Sequence, residues 1–110
     1  MKEYVSLFMA MTLFFACSDN FPNDTPACIS GKINAEKNDY CQNAKVEKYM
    51  FNGREVYVFD TQNCFADGGS EILEADCTNV CFIGGIGGIM DCEGINFNDN
   101  AAFVELIWQN

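Results

Sequence analysis

The side chains able to do chemistry in this 110-residue chain are seven cysteines and sixteen acids, with no histidine among them. Without imidazole the chain lacks the commonest general base and every Ser-His-Asp or Cys-His relay. Cys77-x-x-x-Cys81, with Cys92 downstream, offers thiolates to zinc, but no second C-x-x-C pair completes a structural site. No C-x-x-C lies where a strand turns into a helix, so nothing marks a thiol-redox centre. Gly84-Gly85-Ile86-Gly87-Gly88 has the glycines of a phosphate cradle without the Lys and Ser/Thr that would follow one, and reads as a closed turn. Asn96, Asn98 and Asn100 alternate like the start of a calcium loop, yet Ala101 stands where that loop needs Gly and Ile107 where it needs Glu. A looser calcium site from Asp67, Asp76, Asp91 or Glu93 competes with the reading of these acids as solvated loop residues. Paired carboxylates could hydrolyse glycosides, but no pair stands out and so short a chain leaves little room for a sugar cleft. The expectation is a protein that is not an enzyme and uses no cofactor and no metal.

One cysteine stands apart by its neighbours. Val5 to Ala16 is an apolar run of twelve residues that ends in Ala16-Cys17 and follows the short polar start Met1-Lys2-Glu3-Tyr4. Such a run falls well short of the about 20 residues that span a bilayer as a helix and fits the apolar stretch of a cleavable signal. Phe14-Phe15-Ala16-Cys17 looks like a lipobox, in which a small residue precedes a cysteine that takes a diacylglyceryl thioether. Residues 1–16 then read as a signal peptide, and residues 17–26, polar and holding Pro22 and Pro26, as a lipidated cysteine with a flexible tether. The competing reading is an ordinary secretory signal with Cys17 left as a free or paired thiol.

Setting Cys17 aside leaves an even set for disulfides: Cys28, Cys41, Cys64, Cys77, Cys81 and Cys92. An exported domain this small needs such staples, because its core alone supplies little stability. Six cysteines allow many connectivities. Loop-closure cost favours neighbours, Cys28–Cys41, Cys64–Cys77 and Cys81–Cys92. The net charge is −10, from six bases and sixteen acids. A polyanion gains nothing from counterion release on DNA or RNA, so nucleic acid is excluded as a partner. Anionic lipid would be repelled as well, which leaves an anchor as the route to a membrane.

These residues must be positioned by few elements. Cys28, Ile29 and Ile33 recur at helical spacing between Ala27 and Lys37, with Thr25 as N-cap and Pro26 in the first helical position. Val46–Phe51 and Arg54–Phe59 flank Asn52-Gly53, a dipeptide suited to the type I′ turn of a hairpin. Cys64 to Asp76 reads as a loop with one turn of order, Val80 to Ile83 as a strand, and Ala101 to Trp108 as a closing strand. Phe51, Tyr57, Phe59 and Trp108 read as core or sheet-face residues and not as a ligand box. The fold class expected is α+β: a small antiparallel sheet around a 46–59 hairpin, a short N-terminal helix, and disulfide staples, all in one domain over residues 27–110.

The motifs Cys28-Ile29-x-x-Lys32-Ile33, Val46-x-x-Tyr49-x-Phe51-Asn52-Gly53-x-x-Val56-Tyr57-Val58-Phe59-Asp60, Cys64-x-Ala66-Asp67, Asp76-Cys77, Gly84-Gly85-Ile86-x-Gly88 and Trp108 together resemble an uncharacterised family of small bacterial envelope lipoproteins, a domain of unknown function. The resemblance implies a Cys81–Cys92 bond, a Gram-negative cell envelope, and outer-membrane sorting or surface display after Ser18-Asp19. It implies no activity. The expected role is a binding module for a protein or other envelope component, the alternative a small inhibitor of proteases or lysozyme-like enzymes that inserts a disulfide loop.

Overall fold

The computed structural model describes residues 21–110. Cys17 and residues 1–16, read as a signal peptide, lie outside them.

In chain order the elements are helix α1 (Ala27–Glu36), a 3-10 turn (Lys37–Asp39), strands β1 (Lys45–Phe51), β2 (Arg54–Asp60), β3 (Gly69–Leu73) and β4 (Asn79–Gly84), the small strands β5 (Asp91–Cys92) and β6 (Ile95–Asn96), a one-turn helix α2 (Phe97–Asn100), and β7 (Ala102–Gln109). Five strands form one antiparallel sheet in the order β4-β3-β2-β1-β7, and β5 and β6 form a separate hairpin. The fold is α+β, with the helix, hairpin and closing strand where the residue pattern puts them. Asn52 (φ 53°) and Gly53 (φ 79°) both adopt the left-handed conformation of a type I′ turn, which sets the β1–β2 register from Phe51↔Arg54 to Lys45↔Asp60.

The sheet is apolar on both faces. Against α1 lie Val46, Tyr57, Phe59, Leu73 and Ile107, packed on Ile29 and Ile33 one helical turn apart. On the other face Phe51, Val56, Val58, Ile72 and Ile83 pack under Cys92 and Phe97, with the Phe51 and Phe97 rings 4.9 Å apart. Val56 to Phe59 are therefore buried without a break, the pattern of a strand covered twice.

Three expectations need correction. Pro26 and not Thr25 is the N-cap: no side chain caps α1, and the Thr25 hydroxyl is buried without a partner. Pro26 supplies fixed φ and a carbonyl that accepts from the amides of Ile29 and Ser30. Within Cys64–Asp76, read as a loop, Gly69–Leu73 is a full strand. Its two large apolar residues are adjacent, Ile72 facing one core and Leu73 the other, so no alternation advertises it. Part of the stretch read as tether also packs on the domain, since Phe21 sits against the α1 core and Asp24 pairs with Lys48.

The disulfides are Cys28–Cys77, Cys41–Cys64 and Cys81–Cys92. The last agrees with the expected pairing; Cys28–Cys41 and Cys64–Cys77 do not form. Loop-closure reasoning assumes flexible chain, and rigid elements intervene. Cys28 and Cys41 lie at opposite ends of α1, whose ten residues are about 15 Å long, whereas disulfide Cα atoms lie roughly 4.4–6.8 Å apart. Cys64 and Cys77 likewise flank the extended β3. Across the fold the Cα separations are 6.0 Å for Cys28–Cys77 and 5.6 Å for Cys41–Cys64.

Replacing both partners of one bridge by Ala is expected to destabilise the domain in the order Cys28–Cys77 (49 residues apart), Cys41–Cys64 (23) and Cys81–Cys92 (11). The chain-entropy losses are roughly 4, 3 and 3 kcal/mol. Urea unfolding of the three double variants checks this, and the largest loss falling on Cys81–Cys92 would contradict it.

Candidate functional site

Where α1 ends it leaves part of its sheet face open, and a cavity of about 230 Å³ lies there. Its floor is a cross-strand row: Phe59 of β2 pairs with Glu71 of β3, and Glu71 with Phe82 of β4. Period-two alternation puts these three side chains on the α1 face. Glu36, the last residue of α1, and Tyr40, just past the 3-10 turn, form the opposite wall, with Thr61, Gln62 and Gly69 completing the lining. Phe82 can lie across Gly69 because that residue has no Cβ: one built there would sit 2.6 Å from the Phe82 ring and from the Ile83 carbonyl oxygen.

Lys32, one turn before Glu36, ties the walls together. Its Nζ lies 3.1 Å from Glu36 Oε2, 3.6 Å from Glu71 Oε1 and 5.6 Å from the Phe59 ring centre. Tyr40 Oη donates to Glu36 Oε1 at 3.3 Å. Burial, followed by the nearby Glu36 charge and that hydrogen bond, pushes the Tyr40 phenol far above its ordinary range. The cleft thus holds two carboxylates against one ammonium, with three aromatic rings. Such a lining suits a cationic group, which gains from carboxylates and from the faces of aromatic rings. A glycosidic oxygen would have to lie between the two carboxylates, where Lys32 Nζ already sits.

A second cluster is built into the sheet. Lys48 is only 3% exposed, and its ammonium meets Asp24 and Glu105 at 3.3 Å each and Glu55 at 3.9 Å, above the Tyr57 ring. A buried charge needs such compensation, and here it fastens the segment before α1 and the edge strand β7 to β1. A third feature is the turn between β4 and β5. Gly84 and Ile89 exchange two backbone hydrogen bonds, and Gly88 N–H donates to the Gly85 carbonyl. At the tip, inside the Cys81–Cys92 loop, Ile86 is 83% exposed.

The other residues singled out by type take structural places. Cys28, Cys41, Cys64, Cys77, Cys81 and Cys92 are all oxidised, which leaves none of them as a zinc thiolate. Asn96 Oδ1 caps α2 by accepting from the Asp99 amide. Asp67, Asp76, Asp91 and Glu93 do not converge. Hydrogen bonds from the Thr78 side chain and then its amide hold the Asp76 carboxyl below the ordinary value, and Glu93 meets Arg54 and Asn52 in a clamp between two hairpin turns. Among the described residues no group of three or more His, Cys, Asp or Glu is placed to hold a metal. Phe51, Tyr57 and Phe59 are core residues and Trp108 packs against the core, with Phe59 also flooring the cleft. Sequence reasoning missed the cleft itself; the one signal for it was Lys32 and Glu36 at i,i+4 on the helix.

A family model described as a domain of unknown function, DUF6970, matches residues 31–110. No curated protein and no solved structure matches this chain.

Tyr40, Tyr49 and Tyr57 are all shifted upward, each chiefly by burial. Burial works to lower the Lys48 ammonium, but its bonds to Glu105 and Asp24 outweigh that and leave it raised. All four groups hold protons in the folded state that the unfolded chain releases near pH 10, so their contribution is complete below that and is lost as pH rises further. In an ultraviolet pH titration these tyrosines should ionise later than free tyrosine and together with unfolding; ordinary ionisation in an intact fold would contradict this.

Proposed function

This chain belongs to the DUF6970 family, and we propose that it is a lipid-anchored protein of the bacterial cell envelope, held at the outer membrane through Cys17, whose domain is a non-enzymatic binding module. Its cleft receives a cationic group of an envelope partner. The observation that carries the reading is the convergence of Glu36 and Glu71 with Tyr40, Phe59 and Phe82 around one cavity. The surrounding charge supports it, since residues 21–110 hold fourteen acids and five bases, and a field of that sign concentrates basic partners. The anchor rests on the apolar run ending in Ala16-Cys17. Among the described residues no helix is long and apolar enough to cross a membrane.

A second reading, a small inhibitor of a protease or lysozyme-like enzyme, is favoured by the Cys81–Cys92 turn with Ile86 at its tip. Gly85 (φ 79°) and Gly88 (φ 63°) make this a tight turn and not an extended strand, so it would plug an apolar pocket and not mimic a cleavable substrate. Inhibition that disappears with I86S, in a protease and lysozyme panel, would favour this reading; silence across the panel removes it.

Expressed with its own leader in a Gram-negative host, the protein should carry acyl mass on Cys17, and its three disulfides should add six hydrogens on reduction. A thioether-free Cys17 in intact-mass analysis would remove the anchor. In an NMR titration, N-acetyl-arginine methylamide should shift the amides of Glu36, Tyr40, Phe59, Glu71 and Phe82, and E71Q should weaken that response several-fold. Equal shifts from the matching glutamate derivative would remove the cleft as a cation site.

A further inference from the structure

The cleft does not end at Phe82. That ring is 54% exposed and forms the cleft's outer rim, and it lies 3.8 Å from where a Cβ on Gly85 would stand. Gly85 N–H donates to the Gly68 carbonyl at 3.2 Å, which fixes the β4–β5 turn against the loop leading into β3. The next residue, Ile86, is the most exposed large apolar side chain among the described residues. Its turn cannot fold inward, because the Gly84–Ile89 bridge and the Cys81–Cys92 bond hold its base. An anionic cavity and a raised apolar knob therefore stand side by side on one rigid edge.

Resting on the cleft reading above, we infer that the partner is a polypeptide segment carrying a basic residue followed by large apolar residues, the basic side chain meeting the solvent-facing sides of Glu36 and Glu71, 46% and 42% exposed beside Lys32, and the apolar ones packing on Phe82 and Ile86. Charge decides the occupant. A second copy of this chain would bring another acidic surface to the cleft, and of the five bases in residues 21–110 Lys32, Lys45, Lys48 and Arg54 are already ion-paired within their own domain, which leaves Lys37 alone to offer. A basic segment meets attraction over the whole approach and then finds apolar area to bury, the combination that gives interfaces both speed and affinity. Ile86 contributes nothing to the fold by packing, so its exposure is free to serve binding.

Fluorescence anisotropy with three labelled synthetic peptides tests this: one arginine followed by leucines, the same peptide with citrulline for arginine, and the same with serines for leucines. The first should bind the intact protein, and each of the others about tenfold more weakly, the scale of one lost anchor residue. E71Q should abolish the preference for arginine over citrulline, and I86S the preference for leucine over serine, each leaving the other preference in place. I86S is a surface change, and an unaltered thermal midpoint shows that its fold is intact. Equal binding of the leucine and serine peptides, or an unchanged preference in I86S, overturns the inference while leaving the cleft as a cation site. Indifference to citrulline overturns both. Self-association in light scattering that I86S weakens also overturns it, by making a second copy the occupant.

Discussion

A five-stranded sheet with two apolar faces has to be covered twice, and in this chain neither cover is large enough to hold itself in place. On one side the cover is a ten-residue helix that presents two isoleucines; on the other it is two short strands and a single helical turn that present Phe97 and Cys92. Isolated helices of that length are marginal in water, and a lone hairpin is no better. Each disulfide answers this weakness by joining a cover to the sheet or its loops. Cys28–Cys77 ties the start of α1 to the β3–β4 turn, Cys41–Cys64 ties the segment after α1 to the β2–β3 loop, and Cys81–Cys92 ties the second cover to β4. The bonds connect different layers, which is why Cys28 and Cys41 join cysteines across the fold and not each other.

Charge follows the same architecture. Arg54 grips Glu93 with two nitrogens, at 2.9 and 3.1 Å, and Glu74 lies 3.2 Å from its Nε, so the turn of the small hairpin is held to the turn of the main one. Lys48 draws Asp24, Glu55 and Glu105 around a single buried ammonium. With four of the five bases of residues 21–110 engaged in ion pairs, the remaining acids turn to solvent and the outer surface is anionic. The cleft is where this charge meets an incomplete cover. A further turn of α1 would have covered Glu71 and Phe82; instead the chain breaks into a 3-10 turn at Lys37 and leaves them reachable above the buried Phe59.

Local residue patterns determined much of the fold by themselves. Asn52-Gly53 can take two positive φ angles in succession, so the hairpin is encoded within fourteen residues. Ile29 and Ile33 suffice for α1, and the β-branched and aromatic content after Ala101 for β7. An even set of cysteines announced disulfides, and the close Cys81–Cys92 spacing around a glycine turn carried its own geometry. Strand β3 was hidden because a strand buried on both faces need not alternate, and Ile72-Leu73 divides between two cores. Cys28–Cys77 and Cys41–Cys64 depend on which side of the sheet α1 packs, a choice no local pattern contains. The cleft depends on the same choice, since Glu36 and Glu71 lie in separate elements and meet one lysine only after the helix docks across β3. Periodicity and turn chemistry act over a few residues and could be read along the chain; the pairing of cysteines and the meeting of carboxylates with aromatic rings act across layers, and only packing decides them.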